Sequence, residues 1–201
     1  MELDKKNAKI VIKLAGDSSV GKTSIITSYF NNTFSENIQA TIGVDFKNCY
    51  IMIKEEKVKL CVWDTAGQDK FRTMTTSYYR NTDALCLVFS FDDRKSFENL
   101  DKWVREYKEY RNNEPKLMLV GNKDDSDNKV VTDEEAINYA HKNYMIYTKV
   151  SAKTNKGIKD LFTEIGHQVW EEKKKTITNE GNKGIQLHMP SVREFLSHRC
   201  C

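Results

Sequence analysis

Short apolar runs alternate with amphipathic segments along most of this chain. The runs are β-branched or alternate with polar residues, a pattern that is typical of strands. They predict six strands, near residues 9–15, 44–54, 57–63, 84–90, 116–121 and 145–150. Between the later strands, apolar residues recur at helical spacing. One such helical face comprises Phe97, Leu100, Trp103, Val104 and Tyr107, and the last one comprises Ile158, Leu161, Phe162, Ile165 and Val169.

Alternating strands and helices predict the α/β fold class, with a mostly parallel six-stranded sheet and helices on both faces. Glu55-Glu56 separates two strands and predicts the turn of a hairpin, so one edge strand is expected to be antiparallel. Thr132 and Glu135 predict a capping box at a helix start. In such folds ligands bind at the carboxyl ends of the strands, where the motifs described below fall.

The pattern divides the 201 residues into a short N-terminal extension (1–8), one domain (9–174) and a tail (175–201). The tail is polar and loses its periodicity from about Thr176, which predicts a flexible linker. The net charge of +3 is spread over many acidic and basic residues. Charge therefore gives no indication of a nucleic-acid partner.

The N-terminal residues have no apolar segment of the kind found in signal peptides, and Glu2 stands where N-myristoylation needs glycine. No apolar run approaches the roughly 20 residues of a membrane span. Cys49, Cys61 and Cys86 are widely and irregularly spaced on predicted strands. We interpret them as small core residues in a reducing cytosol.

A glycine-rich motif follows the first predicted strand. Gly16 to Thr23 fits G-x-x-x-x-G-K-[ST], and a helix is predicted after it. In this context the loop N–H groups and the helix dipole cradle phosphates, although the motif by itself could be only a glycine-rich turn. Lys22 is expected to reach the β/γ-phosphates and Thr23 to ligate Mg²⁺. The predicted phosphate-binding residues are Gly16, Ser18, Ser19, Val20, Gly21, Lys22, Thr23 and Ser24.

A second motif ends the third predicted strand at Asp64 and continues to Gly67 and Gln68. An Asp at this place is the second metal-associated group of phosphate-loop proteins. Gly67 offers an N–H to a γ-phosphate without a side chain in the way. Gln68 can orient an attacking water, because an amide both donates and accepts, so Gln68 and Lys22 are the predicted catalytic residues. A polar turn is the weaker alternative.

The base is predicted by Asn122, Lys123 and Asp125, which form N-K-x-D after an apolar run. The Asp125 carboxylate can accept hydrogen bonds from the N1–H and the exocyclic amine of guanine, whereas adenine has neither donor there. An unpaired buried acceptor costs roughly 1–3 kcal/mol. The remaining wall is predicted from Ser151, Ala152 and Lys153, with the Ala152 N–H directed at the guanine carbonyl. Four motifs in this order indicate guanine and argue against an ATP-using enzyme.

These motifs make the chain similar to Rab-type members of the Ras-like small GTPases, over residues 9–172. Ile42 to Phe46 resembles the Rab switch I signature, and the segments 59–71 and 71–80 resemble the switch II region. The resemblance implies that Thr41 joins Mg²⁺ when GTP is bound and that Phe34 packs on the guanine. It also implies an effector-binding surface, formed by Ile42 together with the aromatic triad Phe46, Trp63 and Tyr78.

Three positions depart from the usual Rab pattern. Ile38 stands where many Rabs have a tyrosine that covers the γ-phosphate, Asn81-Thr82 replaces Gly-Ala, and Ser90-Phe91 replaces Tyr-Asp. The favoured function is a GTP/GDP switch that slowly hydrolyses GTP and recruits effectors for vesicle transport. The alternative is a slowly cycling or GTP-locked binding platform, in which Ile38 weakens closure and hydrolysis is incidental.

The chain ends at Cys200-Cys201, which in a Rab-like chain implies two geranylgeranyl groups; a chance pair or a vicinal disulfide is the alternative. Two lipid chains anchor stably, whereas one anchors only marginally. The resemblance further implies an exchange factor, a TBC-type activating protein, a GDP-dissociation inhibitor or escort protein, and a prenyltransferase. The expected location is the cytosolic face of endomembranes, with cycling through the cytosol.

Overall fold

A computed structural model describes residues 9–36, 41, 44–65 and 79–183, with side chains described up to Lys175 except that of Thr65. Its elements are β1 (Lys9–Ala15), α1 (Lys22–Asn31), β2 (Val44–Ile53), β3 (Glu56–Thr65), β4 (Ala84–Ser90), α2 (Arg94–Glu98), α3 (Leu100–Tyr110), β5 (Lys116–Asn122), α4 (Asp133–Lys142), β6 (Ile146–Lys149) and α5 (Ile158–Lys183). Strands and helices alternate as the sequence predicts, and all six predicted strands are confirmed to within a few residues.

The six strands form one sheet in the order β2-β3-β1-β4-β5-β6. Neighbouring strands are parallel except β2, which pairs antiparallel with β3 at the edge. The predicted fold class is confirmed. The predicted turn at Glu55-Glu56 is wrong by one residue, because Ile53 pairs with Glu56 and the turn is Lys54-Glu55. Lys54 takes the positive φ of 56° that a two-residue hairpin turn requires.

Each face of the sheet packs into its own core. One face buries the even-numbered apolar residues of β1 and β3 against α1 and α5. Where α5 approaches the sheet at Gly166, an added Cβ would lie 2.5 Å from Ile51 Cδ1, so that side chain would have to shift. The other face buries residues of β4 and β5 against α3 and α4. Helices cover both faces, as expected for a mostly parallel sheet.

The helical face predicted from Phe97 to Tyr107 is buried, but it belongs to two helices rather than one. Asp93 caps α2 by accepting a hydrogen bond from the Ser96 N–H. The helix is then interrupted at Asn99, and α3 begins at the next residue. The predicted capping box is confirmed, since Thr132 and Glu135 bond each other's backbone N–H groups. Side-chain capping residues therefore locate the helix starts more accurately than the spacing of apolar residues does.

Cys61 and Cys86 are buried, as predicted, and burial raises the pKa of the Cys86 thiol to about 12. Cys49 is only half-buried, so its prediction as a core residue is wrong in part; its Sγ lies 3.8 Å from the Tyr29 hydroxyl.

The chain divides into two compact units after Trp170. In the second unit the backbone is helical as far as Lys183, which differs from the linker that the pattern predicts from Thr176. Adding residues to an existing helix is easier than nucleating a new one. A helix can therefore extend beyond the segment in which apolar residues recur at helical spacing. Within the described part of the chain, no helix combines the length and the apolar character that a membrane span requires.

Candidate nucleotide and metal site

The described motif residues meet at the carboxyl edge of the sheet. The loop from Gly16 follows β1, Asp64 lies at the end of β3, Asn122 ends β5, and Ser151 follows β6. Parallel strands end on one edge, so residues that are far apart in sequence become neighbours there. Gly67 and Gln68, which the sequence also assigns to this site, lie outside the described residues.

The loop between β1 and α1 has a backbone that needs glycine at two points. Gly16 has φ of 145°, and a Cβ there would lie 2.2 Å from the Val88 carbonyl oxygen of β4. Gly21 has φ of 93° and immediately precedes α1. Ser19 also takes a positive φ, 65°, although it carries a side chain. This left-handed backbone is the kind that turns N–H groups toward an anion at a helix N-terminus.

The Lys22 side chain lies over the start of this loop. Lys22 is only 5% exposed, and its Nζ donates to the carbonyls of Gly16 at 2.8 Å and Asp17 at 2.7 Å. The loop carbonyls thus hold the positive charge at the mouth of the loop, where it can attract phosphate.

Asp17 fixes the loop from outside. Its carboxylate accepts hydrogen bonds from Asn99 Nδ2 at 2.6 Å and from Trp103 Nε1 at 2.8 Å. The sequence reasoning missed this contact, because Asp17 occupies a variable position of the motif and its partners are more than 80 residues away. The α2–α3 segment therefore holds the phosphate loop in place.

Three oxygen-bearing side chains converge beside the loop. Thr23 Oγ1 lies 2.6 Å from Asp64 Oδ2 and 2.8 Å from Thr41 Oγ1. Thr41 Oγ1 in turn lies 3.2 Å from Asp64 Oδ2. These are the three residues that the sequence analysis assigns to the metal.

The other oxygen of Asp64, Oδ1, is buried and has no hydrogen-bond partner within the described structure. Burial raises the pKa of Asp64, although hydrogen bonds from Thr23 and Thr41 and the charge of Lys22 oppose it. An unpartnered buried carboxylate oxygen is costly unless a cation compensates it. Hydroxyl and carboxylate oxygens suit Mg²⁺, which keeps several waters and needs few protein ligands. The residues present fit a magnesium ion.

Asn122 joins the phosphate loop to the loop after β6. Its Nδ2 donates to the Val20 carbonyl at 2.8 Å, and its Oδ1 accepts from the Ala152 N–H at 3.2 Å. The Gly21 position leaves room for this amide, since a Cβ there would lie 2.3 Å from Asn122 Nδ2. In this structure the Ala152 N–H is thus directed to Asn122, whereas the sequence analysis directs it to guanine.

The Asp125 carboxylate is oriented by Ser151. Ser151 Oγ donates to Asp125 Oδ1 at 2.5 Å and accepts from the Thr154 N–H at 3.0 Å. The donated bond is made to one carboxylate oxygen, and a carboxylate has capacity for several more hydrogen bonds. Two predicted base-site motifs, distant in sequence, therefore form one hydrogen-bonded unit.

The rest of the N-K-x-D loop is held by ion pairs. Lys123 has φ of 62°, and its Nζ lies 3.1 Å from both carboxylate oxygens of Asp92. Burial opposes ionisation of Asp92, but hydrogen bonds from Ser90 and Lys123 lower its pKa. Asp124, the variable residue of the motif, is bound by Lys129 at 2.7 Å and Lys156 at 3.0 Å. The sequence reasoning missed Asp124, because its lysine partners lie outside every motif.

The remaining predicted residues are placed as follows. Lys153 pairs with Glu36 at 3.5 Å between exposed side chains, and Phe34 is partly exposed. Phe46 and Trp63 stack with their ring centroids 5.2 Å apart. The predicted residues Ile42, Tyr78, Cys200 and Cys201, like Ile38, lie outside the described part of the chain.

Comparisons with known proteins agree with this geometry. The Ras family model matches residues 9–171. The chain is 39% identical over 182 residues to Ras-related protein Rab-18 of Lymnaea stagnalis, covering 86% of this chain and 90% of that protein. It is 40% identical over 176 residues to Ras-related protein RABC1 of Arabidopsis thaliana, covering 86% and 82%. It is 38% identical over 160 residues to Ras-related protein SEC4 of Candida albicans (strain WO-1), covering 79% and 76%.

Proposed function

Because this chain belongs to the Rab family of Ras-like small GTPases, it is a GTP-hydrolysing switch of vesicle traffic, and we propose how its residues carry out that role. The proposal assigns guanine selection to Asp125, phosphate binding to the loop from Gly16 to Ser24, and water orientation to Gln68. The single observation that carries it is the hydrogen-bonded unit of Asp125 and Ser151, at the same sheet edge as the phosphate loop.

Guanine selection follows from the acceptors of Asp125. Its carboxylate accepts from Ser151 on one oxygen and keeps capacity for two donors of the base. Guanine supplies both donors, N1–H and the exocyclic amine. A site that is built to receive donors rejects a base that lacks them, because its polar groups are then left unpaired. Lys123, Ala152 and Lys153 complete the proposed base pocket, and Phe34 packs on its edge.

Phosphate binding uses the loop backbone and Lys22. We expect its ammonium, now on the carbonyls of Gly16 and Asp17, to bind the β- and γ-phosphates when GTP enters. Thr23, Asp64 and Thr41 would hold Mg²⁺, which supplies compensation of the negative charge on the phosphates. Thr41 would join the metal only when GTP is bound, as the family resemblance implies, and this contact would separate the active state from the GDP state.

Hydrolysis is proposed to be slow. Gln68 would orient the attacking water by donating and accepting hydrogen bonds. Neither the phosphate loop nor residues 31–43 contain an arginine, so these segments supply no cationic side chain of that kind to the transition state. A TBC-type activating protein would provide an arginine in trans, as Ras-like GTPases use it.

The tail is proposed to anchor the switch. Lipidation of Cys200 and Cys201 would hold the protein at the cytosolic face of endomembranes through two chains. An escort protein or GDP-dissociation inhibitor would carry the lipidated form through the cytosol. An exchange factor would load GTP, and effectors would contact Ile42, Phe46, Trp63 and Tyr78. The domain would cover residues 9–174 and the tail 175–201.

Base selection is the feature to test first. Wild-type protein should bind GDP and GTP in the presence of Mg²⁺ far more tightly than ADP or ATP. Asp125→Asn should shift the preference toward xanthine nucleotides, because the amide supplies a donor to the C2 carbonyl of xanthine. Asp127→Asn, an exposed change in the same loop, is the matched control and should keep guanine preference. Comparable affinities of wild type for ATP and GTP would contradict the proposal.

A further inference from the structure

One part of the sheet combines exposed apolar side chains with lysines. On β2 the residues Tyr50 and Met52 are 58% and 60% exposed and point to the same face. Their partners across the hairpin are Lys59 and Lys57. Lys9 on β1 is the lateral neighbour of Lys59 in the parallel pairing. We name these five residues the lysine patch.

Helices cover this face only in part. Trp63 lies on the same face of the sheet as Tyr50 and Met52 and packs against the core that β4 and β5 form with α3 and α4. The opposite face of β2 and β3 packs against α1 and α5. Tyr50 and Met52 lie on the side away from α1 and α5, at the sheet edge where the order is β2-β3-β1. Their exposure shows that this edge of the face is open to solvent.

The charge of the patch has one sign. The acidic residues of β2 and β3 are Asp45, Glu56 and Asp64, and all three are on the opposite face by strand alternation. The strand β1 contains no acidic residue. Within these three strands, whose backbone is described in full, only positive charges share the face with Tyr50 and Met52.

The aromatic ring is already arranged as a contact surface. The Lys57 ammonium lies 4.5 Å from the centroid of the Tyr50 ring, a cation–π contact between neighbouring strands. An aromatic and a methionine side chain surrounded by charged residues match the anatomy of protein interfaces, with an apolar centre and a polar rim.

We propose that the lysine patch is a docking site for a partner protein segment that carries acidic residues beside apolar ones. The carboxylates would pair with Lys9, Lys57 and Lys59, while apolar side chains would cover Tyr50 and Met52. This surface goes beyond the proposed nucleotide switch, since no residue of the nucleotide site belongs to it. Lys57 precedes Asp64 by seven residues on β3, which is about 23 Å along the strand. Binding at the patch is therefore equal in the GDP and GTP forms.

A random peptide library displayed on phage tests this, with the full-length chain loaded with GDP as the target. Counter-selection uses the charge-reversed double variant K57E/K59E. The enriched peptides, made synthetically, should contain several Asp or Glu residues beside aromatic or aliphatic ones. Their affinity should fall about tenfold or more in K57E/K59E, fall partially in K57Q/K59Q and Tyr50→Ser, and weaken with added salt.

The control is K108E/K142E, which makes the same charge change at exposed positions of α3 and α4 and should leave peptide binding unchanged. All variants should bind GDP like wild type, which separates this proposal from that for the nucleotide site. The docking proposal would be overturned if the enriched peptides had no excess of acidic residues. It would also be overturned if K108E/K142E lowered peptide affinity as much as K57E/K59E does. Two further results would do the same: Lys57- and Lys59-dependent binding to phosphatidylserine vesicles without peptide binding, or patch-dependent dimers in sedimentation.

Discussion

Trp103 Nε1 donates a 2.8 Å hydrogen bond to Asp17 Oδ1, so a helix of the second core holds the phosphate loop by its variable second residue. Trp103 is buried and Asp17 is half-exposed. A hydrogen bond to a charged group typically contributes about 1.5–3 kcal/mol, and Asp17 would keep its bond from Asn99 if this one were lost. The loop geometry therefore depends on packing that is remote from the phosphates.

The first prediction is that Trp103→Phe releases GDP faster, by about tenfold for each 1.4 kcal/mol of lost loop stabilisation. A double-mutant cycle with Asp17→Ala separates the bond from general packing. If the two residues act together, their effects on unfolding free energy should be non-additive by about 0.5–3 kcal/mol. Additive effects would show that Trp103 acts only through the core.

The second prediction concerns the metal residues. Thr23→Asn removes the hydroxyl that lies 2.6 Å from Asp64, and the affinity for GTP should fall more than the affinity for GDP. The reason is that GTP carries an additional phosphate, whose negative charge a Mg²⁺ ion held by Thr23, Asp64 and Thr41 would compensate. The control is Thr33→Asn, which makes the same substitution at an exposed threonine just after α1. An unaltered ratio of GTP to GDP affinity would remove Thr23 from the metal site.

The third prediction concerns hydrolysis. Wild-type single-turnover rates should be on the order of 10⁻⁴ s⁻¹, as in Ras without its activating protein. Gln68→Leu should be slower, because leucine cannot orient water. Gln168→Leu on α5 provides the control for loss of a glutamine. If Gln68→Leu hydrolyses GTP at the wild-type rate, the glutamine has no catalytic role, and the platform hypothesis gains support.

The fourth prediction concerns Lys13, a buried lysine of β1 whose Nζ donates to the Arg80 carbonyl at 2.9 Å. Burial lowers the pKa of Lys13 from 10.5 to about 8, although Asp83 opposes this. Between these values the unfolded chain binds more protons than the folded one. The Lys13 contribution to stability therefore rises with pH from about 8 to 10.5, and it is constant below about 8.

Urea unfolding of wild type and Lys13→Met across this range measures the effect. The difference in unfolding free energy, wild type minus variant, should increase with pH by up to about 3 kcal/mol. Lys159→Met, an exposed change on α5, should give a difference that does not vary in this way. Parallel profiles for wild type and Lys13→Met would show that the lysine keeps its ordinary pKa.

The fifth prediction concerns membrane residence. From Thr176 onward the tail has three basic and two acidic residues, about +1, so electrostatic attraction to a membrane is small. Each buried lipid methylene contributes ~0.8 kcal/mol, and a single chain anchors only marginally. Cys200→Ser and Cys201→Ser should each be partly mislocalised, and the double variant should be cytosolic with intact GDP binding. A double variant that still pellets with membranes would contradict lipid anchoring.

The sequence by itself determined the fold class and the motif positions. Alternating apolar residues indicate strands because strand side chains alternate between the two faces of a sheet. The phosphate motif places glycine at positions 16 and 21, where the backbone has a positive φ. The metal roles of Thr23 and Asp64 were predictable from their motifs, whereas the role of Thr41 was predictable only through the resemblance to a family. The capping box at Thr132 needed no more than local chemistry.

Only the tertiary structure decided which distant residues support the site. Asn122 meets Val20 and Ser151 meets Asp125 because parallel strands end on one edge, whereas Asp17 meets Trp103 because α3 packs on one face of the sheet. A hydrogen bond across 26 to 102 residues leaves no local periodicity in the sequence. The lysine patch is decided in the same way. The sequences of β1, β2 and β3 indicate which side chains share a face of the sheet. Strand order and helix placement determine that Tyr50 and Met52 on that face stay exposed.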